Sequence, residues 1–378
     1  MTRAVVIGAG IVGAALAVRL VEAGDDVALV DAGAPGGGTS RTSLAWLNAN
    51  QKRPRAYFDL NVEGMRAWRR LAAEFDARPW YVPTGNLIWA EADGARDELS
   101  ARVARLRDWG YAAEFLTHQQ VGDLEPGLRL PAGAEVVRFP EEGFVHAGRA
   151  VESLVTRAAH AGAAVVTGDP VTGFVTKGGR VTAARVASGG AVTGDVFVLC
   201  AGRWTADLAA GLGVTVPLVP PEAPGSHAPS LVALTTPIAS RLGRLVHAPH
   251  VHARPAEDGG VLLVAGEVGA LAVDVTTPAA DLDRAAAELL RRGAQILPAL
   301  DGARVREASL CIRPLPVDGY PIVGWCREVG GCYVVVTHSG ITLAPRLAEL
   351  AASEIMERKR ADALDPYRPD RFDRFDRS

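Results

Sequence analysis

Cysteine and long apolar runs are both scarce in this chain. Its 378 residues include four cysteines, and no two of them stand in a CxxC spacing. The sequence therefore predicts no zinc site, no disulfide framework and no metal. No apolar run reaches the roughly 18–20 residues of a membrane span, and no basic leader with a cleavage site is visible. From these absences we expect a cytoplasmic protein without a membrane span.

Excess charge of either sign is lacking too. The formal net charge is −3 and charged residues make up 22% of the chain, so neither nucleic acid nor an anionic membrane is expected as a partner. Hydrophobic residues make up 48%, which is ample for a packed core. At the usual ~100–200 residues per domain, this length predicts two domains.

The first informative stretch is a glycine turn near the N-terminus. An apolar run, Ala4–Ile7, precedes glycines 8, 10 and 13 in a GxGxxG spacing, and a helix pattern and a second strand pattern ending at Asp31 follow. Gly8 permits a tight turn, Gly10 lets the backbone approach a pyrophosphate, and Gly13 lets the helix pack closely on the strand. This arrangement predicts a dinucleotide site. The alternative is an ordinary βαβ turn that binds nothing.

The acid at the end of the second strand narrows the choice of nucleotide. Asp31 stands where a carboxylate accepts the ribose hydroxyls, and an acid there disfavours a 2′-phosphate and hence NADP. Phosphates would lie at the helix N-terminus, where free N–H groups and the helix dipole favour negative charge. This stretch leaves NAD and FAD open. The small-residue loop 33–40 and the polar segment 41–50 are interpreted as ligand-wrapping, with a surface linker as the alternative.

The remaining patterns predict a mixture of helices and strands. Helical spacing recurs over 55–76, 93–109, 148–161 and 282–297. Strands are expected at 163–167, 171–175, 180–187, 190–198 and 261–264, a strand or hairpin at 80–91, one strand over 245–254, and a turn-rich connection over 116–130. Five prolines in 217–229 suggest a crossing between domains.

Three histidines within six residues suggest a metal site or a pocket wall. They are His247, His250 and His252, and Arg254 follows. Strand alternation would place His250, His252 and Arg254 on one face. Because no carboxylate or cysteine joins them at ligand spacing, a substrate-pocket wall is the preferred interpretation.

A second strand–glycine–helix junction lies near the C-terminus. The strand Cys332–Val336 runs into Thr337–Gly340, and a helix is predicted to continue to Glu357 with Pro345 in its first turn. The N-terminus of this helix could hold a second anionic group, such as the N1–C2=O edge of a reduced flavin.

Together these motifs resemble the FAD-dependent D-amino acid oxidase family, in the branch with glycine oxidase, sarcosine oxidase and bacterial amino-acid dehydrogenases. The pieces are the first glycine turn with Asp31, the strand and turn 198–204, the block 313–324, and the junction 337–345. The resemblance implies an α/β fold (α+β overall), with a Rossmann-like FAD-binding domain and a substrate domain on a mainly antiparallel sheet. Both domains would be discontinuous, over 1–85, 145–217 and 305–378 for FAD, and over 86–144 and 218–304 for substrate.

The resemblance also implies that FAD is bound in an extended pose. Val171 would lie near the adenine, and Gly340–Thr342 near the isoalloxazine. The expected cofactor-binding residues are Gly8, Gly10, Ile11, Val12, Gly13, Asp31, Thr39, Ser40, Arg41, Thr42, Ser43, Val171, Ala201, Gly202, Trp204, Cys311, Arg313, Ser339, Gly340, Ile341 and Thr342.

The implied reaction is oxidation of the C–N bond of an amino acid or secondary amine. Hydride would pass to flavin N5, and the imine would hydrolyse to an oxo acid. Arg313 matches the family arginine that holds the substrate carboxylate, which a guanidinium pairs with bidentately. A structural salt bridge is the alternative role. His252, Arg254 and His338 complete the predicted catalytic set, with Arg41 and Lys52 as weaker pocket candidates.

Two features of the sequence bear on how the flavin is attached and on which electron acceptor is used. Cys311 stands where sarcosine-oxidase-like relatives carry a covalently bound flavin, although noncovalent FAD is preferred here. The same relatives use a lysine to promote the reaction with dioxygen, and residues 231–270 contain none. Hydrogen peroxide is the expected second product, but the missing lysine keeps open a dehydrogenase that uses another acceptor. A FAD-carrying subunit of a larger complex is a further alternative. The sequence does not predict the oligomeric state.

Overall fold

The computed structural model describes residues 2–265 and 274–372. Its helices are α1 (Ile11–Glu22), α2 (Thr39–Thr42), α3 (Arg55–Ala73), α4 (Asp93–Asp108), α5 (His118–Leu124), α6 (Ala147–His160), α7 (Thr205–Ala210), α8 (Ala279–Ile296) and α9 (Gly340–Glu357). Its strands are β1 (Arg3–Ile7), β2 (Asp26–Asp31), β3 (Trp46–Leu47), β4 (Tyr81–Val82), β5 (Asn86–Ala90), β6 (Glu114–Leu116), β7 (Glu135–Phe139), β8 (Gly143–Val145), β9 (Ala164–Thr167), β10 (Val171–Lys177), β11 (Arg180–Val186), β12 (Ala191–Thr193), β13 (Val196–Leu199), β14 (Pro229–Thr235), β15 (Leu245–His247), β16 (Val251–Pro255), β17 (Val261–Ala265), β18 (Val305–Ile312), β19 (Ile322–Trp325) and β20 (Cys332–Val336).

A six-stranded sheet contains the first glycine turn. Its strand order is β19-β20-β13-β1-β2-β9, and every pair is parallel except β19 with β20. Both faces are covered, which explains why its strands are continuous apolar runs. Val6 packs with α1, α6 and α9, whereas Val5 packs with the antiparallel sheet β10-β11-β12.

An eight-stranded sheet forms the second layer. Its order is β18-β14-β17-β16-β15-β5-β7-β6, and all pairs are antiparallel except β15 with β5. Helix α8 covers one face through Leu289 and Ile296, while Val232 and Val264 lie on the opposite face. A small sheet is formed by β3-β8-β4, in which Trp46 contacts both α9, through the Thr342 hydroxyl, and β15, through His247. None of the helices within residues 2–265 and 274–372 combines the length and apolarity that crossing a bilayer requires.

The α/β fold with a Rossmann-like sheet and a mainly antiparallel second sheet is confirmed. The helices predicted over 55–76, 93–109, 148–161 and 282–297 are α3, α4, α6 and α8. The domain boundaries stay a prediction. Strand β18, which begins the third predicted FAD segment, pairs with β14 in the eight-stranded sheet.

Of the strand or hairpin predicted at 80–91, strand is confirmed by β4 and β5, but the two form no hairpin, because a turn at Gly85, with φ +83°, sends them into different sheets. The prediction for residues 116–130 is wrong in part. Residues 116–130 are not only turns, because α5 begins there with a capping box. In that box Thr117 Oγ1 accepts from the Gln120 N–H, and Gln120 Oε1 accepts from the Thr117 N–H. The T-x-x-Q spacing was the available signal.

Pro345 lies deeper in the last helix than the sequence predicts. Helix α9 begins at Gly340, so Pro345 falls inside the helix and not in its first turn. Proline has no N–H to donate to the carbonyl four residues earlier. The carbonyl of Ile341 therefore lacks its helical hydrogen bond. The indole Nε1 of Trp68 donates to the Ile341 carbonyl at 2.6 Å. Trp68 therefore compensates for the missing helical hydrogen bond.

Substitution of Trp68 by Phe tests this compensation. We expect Trp68→Phe to lower the free energy of unfolding by about 0.5–1.5 kcal/mol more than Trp80→Phe, because only the first removes a hydrogen bond to the Ile341 carbonyl. Both indoles are fully buried, and Nε1 of Trp80 has no hydrogen-bond partner among the residues that the structure describes, so Trp80→Phe is a matched control. Urea unfolding with saturating FAD measures both. Equal losses would contradict the assignment.

Candidate active site

The turn between β1 and α1 has room only for glycine at two positions. Gly8 has φ +106°, and a Cβ on it would lie 2.6 Å from the Cys200 carbonyl oxygen. A Cβ on Gly13 would lie 1.9 Å from the Gly8 carbonyl oxygen. The glycine spacing therefore lets α1 start directly against β1 and β13, as the sequence predicts.

Side chains around this turn fix its backbone. Asp31 Oδ2 accepts from the Ala9 N–H at 2.6 Å, and its Oδ1 accepts from the Gly33 N–H at 2.8 Å. Ser40 Oγ accepts from the Ile11 N–H at 3.1 Å. The first N–H groups of a helix lack partners within it, so the rest of this first turn remains suited to an anion.

A cavity of about 1740 Å³ opens from this turn and runs between the two large sheets. It exceeds the ~300–1,000 Å³ of ordinary small-molecule sites, so it can accommodate a dinucleotide beside a second ligand. The predicted cofactor residues that line it are Gly8, Gly10, Ile11, Val12, Asp31, Thr39, Ser40, Ser43, Val171, Ala201, Gly202, Trp204, Cys311, Arg313, Ser339, Gly340, Ile341 and Thr342. His252 and His338 of the predicted catalytic set also line it.

Four predicted residues lie off the cavity wall. Gly13 lies beneath the turn, where its packing role places it. Arg41 forms an exposed ion pair with Glu152 at 3.0 Å, and the Thr42 side chain hydrogen-bonds the Cys311 thiol. The fourth is Arg254, whose Nη1 lies 3.1 Å from Nδ1 of His146.

Two helix N-termini meet at this cavity, and their residues fit FAD. Helix α1 begins at Ile11 and α9 at Gly340, and both first turns line the wall. Each presents unpaired N–H groups and the positive end of a helix dipole. The α1 end suits a pyrophosphate, and the α9 end suits the electron-rich edge of a flavin.

Arg313 is a half-buried cation on the cavity wall. Its guanidinium donates to the backbone carbonyls of His227 and, at 3.3 Å, Ala228. Its Nη1 lies 3.4 Å from Nε2 of His338. No carboxylate in the part of the chain that the structure describes pairs with it, so no structural salt bridge explains it there. Burial lowers the pKa of Arg313. Guanidinium groups nevertheless stay protonated in proteins.

Burial also sets the charges of the two neighbours of Arg313. It lowers the pKa of His338 to about 3, with further lowering by the charges of Lys52 and Arg313, so the ring is neutral and can accept a hydrogen bond. It lowers the pKa of Lys52 to about 8, partly offset by Glu142. Lys52 Nζ donates to Ser339 Oγ at 2.9 Å, and the hydroxyl of Tyr57 lies 2.8 Å from the same oxygen.

A buried carboxylate, which the sequence does not single out, holds the segment that carries Lys52. Glu142 accepts hydrogen bonds from Trp46 Nε1, the Ala49 N–H, the Asn50 N–H, Asn50 Nδ2, Asn86 Nδ2 and Tyr111 Oη, at 2.8–3.2 Å. Burial raises the pKa of Glu142, while the hydrogen bonds favour its ionised form. Its partners lie far away in the sequence, so no spacing could have indicated this role.

The histidine cluster differs from the prediction. Pro249 cannot donate to a strand ladder, and residues 245–254 form the hairpin β15–β16 rather than one strand. His250 falls in the turn, so the prediction that it shares a face with His252 and Arg254 is wrong. The rings of His247 and His252 are 4.3 Å apart, and burial lowers the pKa of His252 to about 4. No metal-binding group of three His, Cys, Asp or Glu occurs among residues 2–265 and 274–372.

Comparison with known proteins assigns the chain to a family. The model of the DAO family, described as FAD dependent oxidoreductase, matches residues 3–354. The chain therefore belongs to this family. It is a FAD-dependent oxidoreductase, which confirms the predicted family, enzyme class and cofactor.

Individual relatives agree with this assignment. The chain is 25% identical to the glycine oxidase of Geobacillus kaustophilus over 364 residues, which cover 94% of this chain and 92% of that protein. It is 26% identical to N-methyl-L-tryptophan oxidase of Escherichia coli over 207 residues, 54% of each. The crystal structure of the Geobacillus kaustophilus glycine oxidase superposes with a TM-score of 0.84 at 23% identity, over 97% and 98% of the two chains.

The lowered pKa of Lys52 predicts a pH-dependent anion affinity. As the pH rises through about 8, Lys52 loses its charge, so the cavity should bind acetate several-fold more weakly. Flavin absorbance of the FAD-loaded enzyme, titrated with acetate from about pH 7 to about pH 9, measures this. Lys52→Met should remove the step, and Lys177→Met, which changes an exposed lysine, should retain it. A step that persists in Lys52→Met would refute this account of Lys52.

Proposed function

We propose that this protein oxidises the C–N bond of an amino acid or secondary amine, with bound FAD accepting at N5 the hydride that leaves the carbon bearing the nitrogen. Water hydrolyses the resulting imine to an oxo acid, and dioxygen becomes hydrogen peroxide. The names of the relatives support this substrate class, since one is a glycine oxidase and another an oxidase of an N-methyl amino acid.

The observation that carries the proposal is the environment of Arg313. This cation lies on the wall of the cavity that α1 and α9 both enter, and within the described chain it has backbone carbonyls and a neutral histidine as neighbours, but no carboxylate. A substrate carboxylate supplies the missing negative charge. The planar guanidinium can hold it by two parallel hydrogen bonds, which orients the neighbouring carbon.

The other residues of the site position Arg313 and the start of α9. His338 is neutral, so its Nε2 can accept from Arg313 and align the guanidinium. Lys52 and Tyr57 hold Ser339, the residue that precedes α9. No protein base is required, because the amine reacts in its neutral form and the hydride leaves directly. Activity should therefore rise with pH as the substrate ammonium loses its proton.

Substitution of Arg313 tests the proposal. Arg313→Met should retain FAD but lower kcat/KM by at least about tenfold for amino acids, because a charge-assisted hydrogen bond is lost. Arg313→Lys should recover part of this loss. Arg66→Met changes an exposed arginine paired with Glu63 and should leave the rate unchanged. Anaerobic bleaching of the flavin by amino acids and N-methyl amines measures all four proteins. An unchanged rate in Arg313→Met would exclude the assigned role, and no bleaching by any amine would exclude the function.

Reoxidation in air separates the oxidase from a dehydrogenase. We expect the substrate-reduced enzyme to release one hydrogen peroxide per substrate oxidised. A reduced enzyme that persists in air and is reoxidised only by an added dye would instead establish the alternative acceptor.

Cys311 provides a test of how FAD is attached. Burial raises the pKa of its thiol, although the Thr42 hydroxyl and the charge of Arg313 oppose this, so the reactive thiolate is disfavoured. We propose noncovalent FAD. Acid precipitation should release the yellow colour into the supernatant. Colour that stays in the pellet of the native protein and is lost in Cys311→Ser would demonstrate a covalent link.

A further inference from the structure

We propose that the substrate carries a second carboxylate, which Arg102 holds while Arg313 holds the first. This inference rests on the proposed function and specifies its substrate class: an acidic amino acid or a secondary amine with two carboxylates. It starts from a guanidinium that the reaction as described above does not use.

Arg102 differs from the other arginines of helix α4. Arg96 donates to the Gly133 carbonyl, Arg107 donates to the Ala113 carbonyl, and Arg105 stacks over the ring of Trp109. Arg102 is half-buried and lines the cavity, and Glu98, one turn earlier on α4, and the buried Glu142 attract its charge. It nevertheless makes no hydrogen bond, close ion pair or ring contact with any residue that the structure describes. A guanidinium withdrawn from water needs an anion or acceptor in exchange.

Helix α4 presents Arg102 to the same space as the rest of the substrate wall. Ala95, Leu99 and Arg102 recur at helical spacing and all line the cavity. Trp46 on β3 and His252 on β16 line the same cavity, and the Trp46 ring lies 4.0 Å from the ring of His247. The charge of Arg102 also lowers the pKa of His247, so the two are close. Arg102 therefore places a further positive charge on the cavity wall, separate from those of Arg313 and Lys52.

Cations outnumber carboxylates among the half-buried residues that line this wall, although the buried Glu142 offsets part of the charge of Lys52 and Arg102. The three acidic residues of the lining are Asp31, Glu98 and Asp207. Asp31 is already bonded to two backbone N–H groups, and the other two are exposed. The half-buried cations are Lys52, Arg102 and Arg313. A ligand with one carboxylate gives a hydrogen-bonding anion to Arg313 alone, whereas a dicarboxylate gives one to Arg102 as well.

Matched substrate pairs test the proposal on the FAD-loaded enzyme. Iminodiacetate is compared with sarcosine, and each enantiomer of glutamate with the same enantiomer of glutamine, by anaerobic bleaching. We expect the dicarboxylate of at least one pair to be preferred by about tenfold or more in kcat/KM. Arg102→Met should abolish this preference and change kcat/KM for sarcosine and glutamine, which carry one carboxylate, by less than about twofold. Arg105→Met, the same change one turn along α4, should retain the preference.

A binding measurement separates this inference from the proposed function. Glutarate and its monoamide glutaramate contain no oxidisable amine, and their affinities follow from the flavin spectrum. Preference for glutarate in the native enzyme, lost in Arg102→Met, supports the second carboxylate site even if no amine bleaches the flavin. Equal affinities in the native enzyme, or an equal loss for both ligands in Arg102→Met, would overturn it. Absence of bleaching by every amine overturns the oxidase instead.

Discussion

The site depends on two helices that begin at one cavity. Strands β1 and β20 are parallel members of the same sheet, and each is followed directly by a helix, so α1 and α9 start at the same edge. Leu16 and Leu347 belong to the core that packs these helices together. Two positive helix ends thus face one space, which suits a cofactor with anionic groups at separated positions. The glycine turn, the Trp68 hydrogen bond and the Ser339 contacts all maintain this arrangement.

The second constraint is the carboxylate of Glu142. It accepts hydrogen bonds from the segment 46–50, from β5 and from Tyr111. These bonds attach the small sheet and the eight-stranded sheet to the cavity wall. A buried carboxylate is costly unless its lone pairs are filled, so the hydrogen bonds and the conformation of this segment stabilise each other. Lys52 follows the held segment, which places a cation of lowered pKa beside α9.

The parts that the sequence predicted are local. Gly8, Gly13 and Asp31 act within one βαβ unit, where spacing determines geometry. The family resemblance indicated Arg313 and Ser339, which belong to motifs. The sequence did not single out Arg102 or Glu142, because the surroundings of both are formed largely by residues far away in the chain. The thiols of Cys326 and Cys332 lie 3.3 Å apart for a local reason, because β19 and β20 pair as a hairpin, which the absence of a CxxC spacing did not indicate. His250 was misplaced because a proline turn interrupted the alternation from which its face was predicted.

A crystal structure of the protein grown with FAD tests the central claim most directly. The account predicts pyrophosphate density against the N–H groups at the start of α1, adenine beside Val171, and the isoalloxazine ring at the start of α9, between Ser339 and Arg313. FAD bound with its two ends exchanged, or outside the cavity between the two sheets, would contradict it.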